Sequence, residues 1–310
     1  MDEHISVLLN ESIEGLNIKE DGIYVDATLG RAGHSSHILS KLSERGKLYC
    51  FDKDNDAMEV SRNRLSAISP QFELIHSDFR KMKEELNKRG ISSVDGILFD
   101  LGVSSPQLDN GERGFSYNYD ARLDMRMNQE DKLDAYTIVN TYSETDLRQL
   151  IFNYGDERYA SSIARNIVEA RKVKPIVTTF ELVDIIKRSV PAKYLRETHP
   201  AKRTFQAIRI EVNDEMNGLK EALKDAMTLL SPKGRLVVIT FHSLEDRIVK
   251  EAFKEASEPE KWNRYMPVTN VTSSVEFAIV NKKPIVASEE ELSINRRSHS
   301  AKLRILEKNW

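Results

Sequence analysis

One cysteine, Cys50, is all the thiol chemistry that 310 residues carry. An internal disulfide is therefore excluded, and a reducing cytoplasm is the expected location. No apolar run approaches the length of a membrane span, and the opening Met1-Asp2-Glu3 is unlike a secretory signal. Neither sign of charge dominates. With 46 basic and 49 acidic residues the net charge is −3, so any contact with nucleic acid must come from local charge. Several catalytic signatures are absent as well. No glycine loop ends in Gly-Lys-Ser/Thr, so a triphosphate cradle is not indicated. His242 and Ser243 are adjacent, but no serine stands in a Gly-x-Ser-x-Gly elbow, which disfavours a hydrolase. His34 and His37 lie one helical turn apart with no further ligand completing metal spacing, and no metal is expected.

What is present is organised around Tyr24-Val25-Asp26-Ala27-Thr28-Leu29-Gly30-Arg31-Ala32-Gly33-His34. A short apolar run ends in an acid, passes through a glycine-punctuated loop and enters a helical pattern. In a doubly wound sheet such a junction lies outside the carboxyl ends of the strands, where ligands bind. Gly30 and Gly33 leave room for backbone to approach a ligand. The glycine pair alone also fits an ordinary strand-to-helix turn. The next strand supplies a partner: Lys47–Phe51 runs into Asp52, nineteen positions after Gly33. That is close to the spacing at which an acid ending the second strand meets the hydroxyls of a ribose. Loop and acid together point to an adenosine-containing ligand.

The same rhythm continues. Helical patterns over Ala57–Ile68 and Arg80–Lys88 separate strands at Phe72–His76 and Val94–Asp100, so the sheet should be parallel with helices on both faces. From Gln107 to about Arg209 the strands stop. Helices are expected near Glu144–Asn153, Arg158–Lys172, Thr179–Ser189 and Arg203–Val212. The α/β pattern resumes with a helix over Asp214–Leu230, a strand over Arg235–Thr240, a helix over Leu244–Ala256 and two final strands. The economical division is a discontinuous α/β core, residues 1–109 and 212–310, interrupted by a helical insertion, residues 110–211.

Between Arg165 and Arg203 ten basic residues face four acidic ones. Lys187, Arg188, Lys193 and Arg196 are candidates for holding a phosphate backbone, although solvated helix faces would have the same composition. Phe115, Tyr117 and Tyr119 offer rings on which bases stack, or small-core residues under a loop.

Six strings carry a resemblance: Asp26–His34, Asp100–Leu108, Arg113–Ser116, Leu123–Arg126, Thr204–Arg209 and Phe241–Arg247. Together they resemble the bacterial ribosomal RNA small subunit methyltransferase H family (RsmH, formerly MraW), and the likeness runs nearly the whole chain. The resemblance implies a class I, Rossmann-like core dependent on S-adenosylmethionine, with an inserted helical domain that recognises the substrate. It implies methylation of the N4 amine of a cytidine in the decoding centre of 16S rRNA, in the small ribosomal subunit. Cofactor contacts carry over to Ala32, Gly33, His34, Asp52, Phe79, Asp100 and Gln107, Phe79 being the adenine environment. Two departures from wider methyltransferase patterns stand out. Of the usual Asp-x-Gly-x-Gly-x-Gly glycines only Gly30 is kept, and Ser105-Pro106-Gln107 replaces a Pro-Pro-aromatic string. The chemistry needs an acceptor for the N4 amine, and Asp100 or a carbonyl of Ser104–Pro106 is the candidate. Methylation at carbon five, which needs a cysteine nucleophile, is disfavoured. The alternatives are a DNA cytosine-N4 methyltransferase and a non-catalytic ribosome-assembly factor with a vestigial cofactor pocket.

Overall fold

The computed structural model describes residues 6–102, 111–197, 199–258 and 275–310. In chain order the elements are α1 (Leu9–Leu16), β1 (Ile23–Asp26), α2 (Gly33–Leu39), β2 (Lys47–Asp52), α3 (Asn55–Ser66), β3 (Phe72–His76), α4 (Met82–Lys88) and β4 (Val94–Asp100). Then come α5 (Ala135–Thr141), α6 (Glu144–Gly155), α7 (Ala160–Val173), α8 (Thr179–Ser189), α9 (Tyr194–Glu197) and α10 (Ala201–Val212). The chain closes with α11 (Glu215–Leu229), β5 (Leu230–Thr240), α12 (Ser243–Ser257), β6 (Phe277–Ile279), α13 (Glu289–Ile294) and β7 (Lys302–Lys308). Two compact units result: Met1–Gly102 with Met216–Trp310, and Val103–Glu215. No helix among the described residues is long and apolar enough to cross a membrane.

The first unit holds a seven-stranded sheet in the order β3-β2-β1-β4-β5-β7-β6. Strands alternate their side chains between faces, and the fully buried strand runs of the sequence use both. Tyr49, Phe51, Ile97, Phe99 and Val238 pack with Leu86, Leu219, Leu223 and Phe253, which come from α4, α11 and α12. Their neighbours Leu48, Cys50, Leu98, Val237 and Ile239 face the other way, toward Leu16, Ile38, Leu39 and Leu65 of α1, α2 and α3. The expected α/β class is thus what forms. β1 to β5 are parallel, and the chain reverses its direction of travel between β1 and β4, which creates the crevice at their carboxyl ends.

One expectation is corrected. The sheet is not parallel throughout, because β7 runs antiparallel to both β5 and β6. A parallel return needs a packed crossover helix. The short α13 between β6 and β7 buries none of its residues fully, so the chain comes back in the opposite sense. Ser231–Gly234, between the expected helix over Asp214–Leu230 and the expected strand over Arg235–Thr240, lies inside β5, as an irregularity between the Val94–Leu230 and Gly96–Arg235 pairs.

The second unit is helical around Leu147, Ile151, Ile163, Ile167, Leu182, Ile186, Phe205 and Ile208. Side-chain caps mark its helix starts: Asp134 and Ser143 accept from Thr137 and Asp146 backbone N–H groups, and Thr178 and Glu181 form a capping box. Helices α5 and α9 escape the sequence reading, the first being short and rich in β-branched residues, the second a single turn. The three candidate stacking rings separate here. Phe115 is buried in the helical core, Tyr117 stacks on His199 at 4.2 Å, and only Tyr119 is exposed.

Candidate active site

Strand register decides which side chains meet. Asp26 ends β1 opposite Cys50 of β2 and Leu98 of β4. Asp52 and Asp100 therefore each stand two residues beyond Asp26, one on either side of the glycine loop. The loop is tied into this fork from both sides. Asp52 Oδ2 accepts from the Gly30 N–H at 2.9 Å, while Thr28 Oγ1 accepts from the Asp100 N–H at 2.6 Å. The Ala27 and Leu29 N–H groups bond to the carbonyls of Leu98 and Phe51. Ser61 fixes the Gly30 carbonyl at 2.9 Å. Gly30 has a φ of +50°, a conformation glycine adopts without penalty, and a Cβ there would meet nothing closer than 3.9 Å. That side of the loop is open.

Gly33 is different. A Cβ at Gly33 would collide with Ser6 Oγ, so the missing side chain makes room for protein rather than ligand. Ala32, just before it, is fully buried with a φ of 58°. Gly33→Ala should therefore destabilise the protein by about 1–3 kcal/mol, as overpacking does. Thermal melts check this, and adding Ser6→Gly to the Gly33→Ala protein should recover most of the loss.

The three acids differ in what they can offer. Asp26 is buried and spent on structure, accepting from Ser35 Oγ at 2.6 Å and the Thr28 N–H at 3.1 Å. Burial pushes its pKa up, opposed by the Ser35 hydroxyl. Asp52 accepts one N–H on each oxygen, from Gly30 and from Asp54, which leaves lone pairs on both. Its pKa is also raised by burial and held back by those two N–H groups. At Asp100, Oδ1 is buried without a hydrogen-bond partner among the described residues. Burial lifts the Asp100 pKa to about 7, the Arg297 charge opposing the rise and Glu245 adding to it. An orphaned, buried carboxylate oxygen marks a place where a donor is missing.

His34 adjoins this group. Its Nε2 lies 3.1 Å from the Val7 carbonyl, which can only accept, so the ring proton is assigned to Nε2. Burial pushes the imidazole pKa down, and the unprotonated Nδ1 faces Asp100 Oδ2 at 3.6 Å. Phe79 follows β3, half-buried, its ring edge-on to Phe99 at 5.5 Å. Gln107 and the Ser104–Pro106 carbonyls lie outside the described residues. Cys50 is buried in β2 with its thiol pKa pushed well up by burial, which leaves it inert as a nucleophile. His242 caps α12 in a reciprocal box with Glu245, and Ser243 beside it is exposed, so no nucleophile–base pair forms there. Arg297 and Glu245 are the residues the sequence reading missed. Both follow long separations from Asp100, and only the folded sheet brings their charges to it.

Lys187, Arg188, Lys193 and Arg196 lie in the helical unit, on the last turn of α8 and around α9. All four are exposed and have no ion-pair partner among the described residues. By contrast Lys172 and Lys174 are neutralised by Glu169 and Glu181, each at 2.6 Å.

Residues 1–309 match the model of a family described as the MraW methylase family. A ribosomal RNA small subunit methyltransferase H from Exiguobacterium sibiricum is 56% identical over 309 residues, covering 99% of each chain. Among solved structures, an rRNA methylase from Streptococcus thermophilus has a TM-score of 0.44 at 13% identity, over 99% of this chain and 100% of that one. A methyltransferase homolog protein from Pyrococcus horikoshii has a TM-score of 0.44 at 14% identity, over 98% and 68% of the two chains.

Proposed function

The chain belongs to the MraW methylase family, and on that premise we propose that it methylates the N4 amine of a cytidine in the decoding centre of 16S rRNA. Methyl transfer to rRNA of the small subunit is supported by the 56% identical relative and its printed name. The observation that carries the reading is the carboxylate fork around an open glycine loop, with one buried acceptor oxygen at Asp100 left unmatched.

The residues present fit S-adenosylmethionine. Its ribose diol suits the free lone pairs of Asp52, and a ligand carrying a sulfonium and an ammonium suits a crevice flanked by carboxylates. Asp52 would hold the ribose, Phe79 would border the adenine, and His34, Asp100, Gln107 and the backbone of Gly33 would supply further contacts, whereas Ala32, fully buried, presents no surface to a ligand. When bound, the cofactor supplies a strongly electrophilic methyl group. The protein's part is alignment and proton handling, because the cytosine amine shares its lone pair with the ring and is a poor nucleophile. An ionised Asp100 accepts a hydrogen bond from the amine, localises the lone pair and receives a proton afterward. Its pKa of about 7 matches that task at neutral pH. The Val7–His34 contact holds a second acceptor, Nδ1, against the same carboxylate and limits where Asp100 can turn.

In this reading the helical unit grips rRNA through its unpaired cations, while the α/β unit holds the cofactor. Mass mapping of small-subunit rRNA from cells with and without this gene tests the function. One methyl group should be missing from one cytidine in the deletion. Labelled cofactor offered duplex DNA and small subunits side by side distinguishes a DNA enzyme, and cofactor binding without transfer would leave an assembly factor. Asp52→Ala removes both the ribose acceptor and the brace on Gly30. Loss of such charge-assisted bonds, worth about 1.5–3 kcal/mol, should weaken cofactor binding roughly ten- to a hundredfold. Titration calorimetry with S-adenosylhomocysteine showing unchanged affinity would remove Asp52 from the site.

A further inference from the structure

His34 stands where the glycine loop becomes α2, with its ring buried. The proton on Nε2 is committed to the Val7 carbonyl at 3.1 Å, so Nδ1 turns a bare lone pair toward Asp100 Oδ2, 3.6 Å away. Asp100 is fixed from its own side. Its N–H donates to Thr28 Oγ1 at 2.6 Å, and β4 holds it opposite Ile239. Two acceptors thus face each other, and no group among the described residues donates to either atom. Such a contact repels until a proton enters it, and an O–H···N bond then needs only a closing to about 2.7–3.0 Å. Burial lowers the proton affinity of the imidazole and raises that of the carboxyl, so a proton placed between them belongs to Asp100. The neighbouring charges favour its uptake. Asp26 of β1 and Glu291 of α13 act on His34 in that sense, and Glu245 of α12 on Asp100. Against them stand His37 of α2, facing His34, and Arg297 of the turn before β7, facing Asp100.

We propose that His34 is a positioning residue for methyl transfer: its Nδ1 holds the proton of Asp100 on Oδ2 and so reserves Oδ1, the oxygen without a partner, for the N4 amine. The proposal rests on the reading of Asp100 as the acceptor of that amine. In the transfer the amine lone pair forms the N–C bond and the C–S pair leaves with sulfur. The N–H pair stays on nitrogen as its proton passes to Oδ1. A half-turn of the carboxyl group about Cβ–Cγ exchanges its two oxygens without moving the group, and the new O–H then points at Nδ1. The terminal torsion of an aspartate is broad and two-fold, so the exchange is easy. A bare oxygen returns to the amine's side while His34 stays neutral. The protonated carboxyl still orients an amine through Oδ1 but is a poor base, so fast transfer needs the ionised form.

The test has one arm on the free protein and one on the reaction. In ¹⁵N NMR of the wild type, His34 should carry its proton on Nε2 and none on Nδ1 from about pH 6 to 9. Its Nδ1 signal should shift with the inflection of Asp100, near 7, and Asp100→Asn should abolish that inflection. For the reaction, His34→Gln keeps a donor for the Val7 carbonyl but has no acceptor at the Nδ1 position, whereas His34→Asn carries an amide oxygen close to it. Single-turnover transfer to small subunits from cells lacking the gene is followed across pH at saturating cofactor, so that any lost cofactor contact drops out. His34→Gln should move the acid inflection down by about half to one pH unit and lower the plateau rate about two- to tenfold, the range of one net hydrogen bond. His34→Asn should recover most of the shift. A His34 proton on Nδ1, or a His34 signal indifferent to Asp100, would overturn the pairing, and neither result depends on how a His34 variant folds. An inflection unmoved in His34→Gln, with only the plateau lowered, would overturn it too, because a structural loss lowers the rate alone. No product from wild type counts against the methylation reading, which the NMR arm does not use. Product together with uncoupled titration rejects only this role for His34.

Discussion

Asp100→Asn is expected to slow methyl transfer in a single turnover by at least about tenfold at saturating cofactor, and up to about 10²–10⁴-fold. The substitution keeps the shape of the side chain but exchanges one acceptor oxygen for a donor. If Asp100 touched only the cofactor, saturation would restore the rate and the loss would appear in affinity alone. The pH dependence adds an independent readout. With a pKa of about 7, wild-type Asp100 loses acceptor character as the pH falls through neutrality, so kcat/KM should drop on the acid side with an inflection near 7. The variant should lack that limb. Stability should move the other way. A carboxyl whose folded pKa lies above its ordinary value of 3.8 stabilises the fold in acid, and that contribution is lost as the pH rises toward 7. At pH 8 the wild type therefore carries an ionised buried group that Asn lacks. Asp100→Asn should melt about 2–4 °C higher there, the gap closing toward pH 4. A variant both slower and no more stable at pH 8 would argue that the carboxylate is well solvated in the free protein.

The second large effect concerns Lys187, Arg188, Lys193 and Arg196. Replacing all four with glutamine should weaken binding to small subunits about a hundredfold at moderate salt and reduce the salt slope by about 3, counting slightly less than one counterion per contact. Cofactor affinity should be unaffected. The folded helices should also be unaffected, because none of these side chains makes an ion pair among the described residues and all are exposed. An unchanged salt slope would mean that these charges are merely solvated.

The parts of the fold legible in the sequence are those written locally. β1 to β4 announce themselves as apolar runs closed by Asp26, Asp52, His76 and Asp100, and the structure ends the strands at those residues. Their parallel arrangement follows from the helix between each pair. Strand direction at β7 is not local, because nothing in Lys302–Lys308 states which way its neighbour runs. The site shows the same division. Asp52 can be found by spacing from Gly33, but the collision of a Gly33 side chain with Ser6 depends on how the segment before α1 packs. Arg297 lies nearly two hundred residues from Asp100, and its role as a neighbouring charge exists only once β7 is seated. The aromatic trio illustrates the limit of composition. Phe115, Tyr117 and Tyr119 read alike, yet one is core, one is stacked on His199 and one meets solvent.

The direct pairing of β4 with β5 has a kinetic consequence. Asp100 and Leu230 are about 130 residues apart, yet their strands join in the middle of the sheet. During synthesis β1 to β4 emerge first and must wait, with β4 presenting an unpaired edge, until every residue of the intervening helices has been made. Closing so long a loop is entropically costly when the loop is flexible and much less so once it has collapsed into a unit of its own. High sequence separation of this kind slows folding. The helical unit is therefore expected to fold early and act as the tether that brings β5 home, so that a destabilised helical core would show itself first as slow assembly of the sheet.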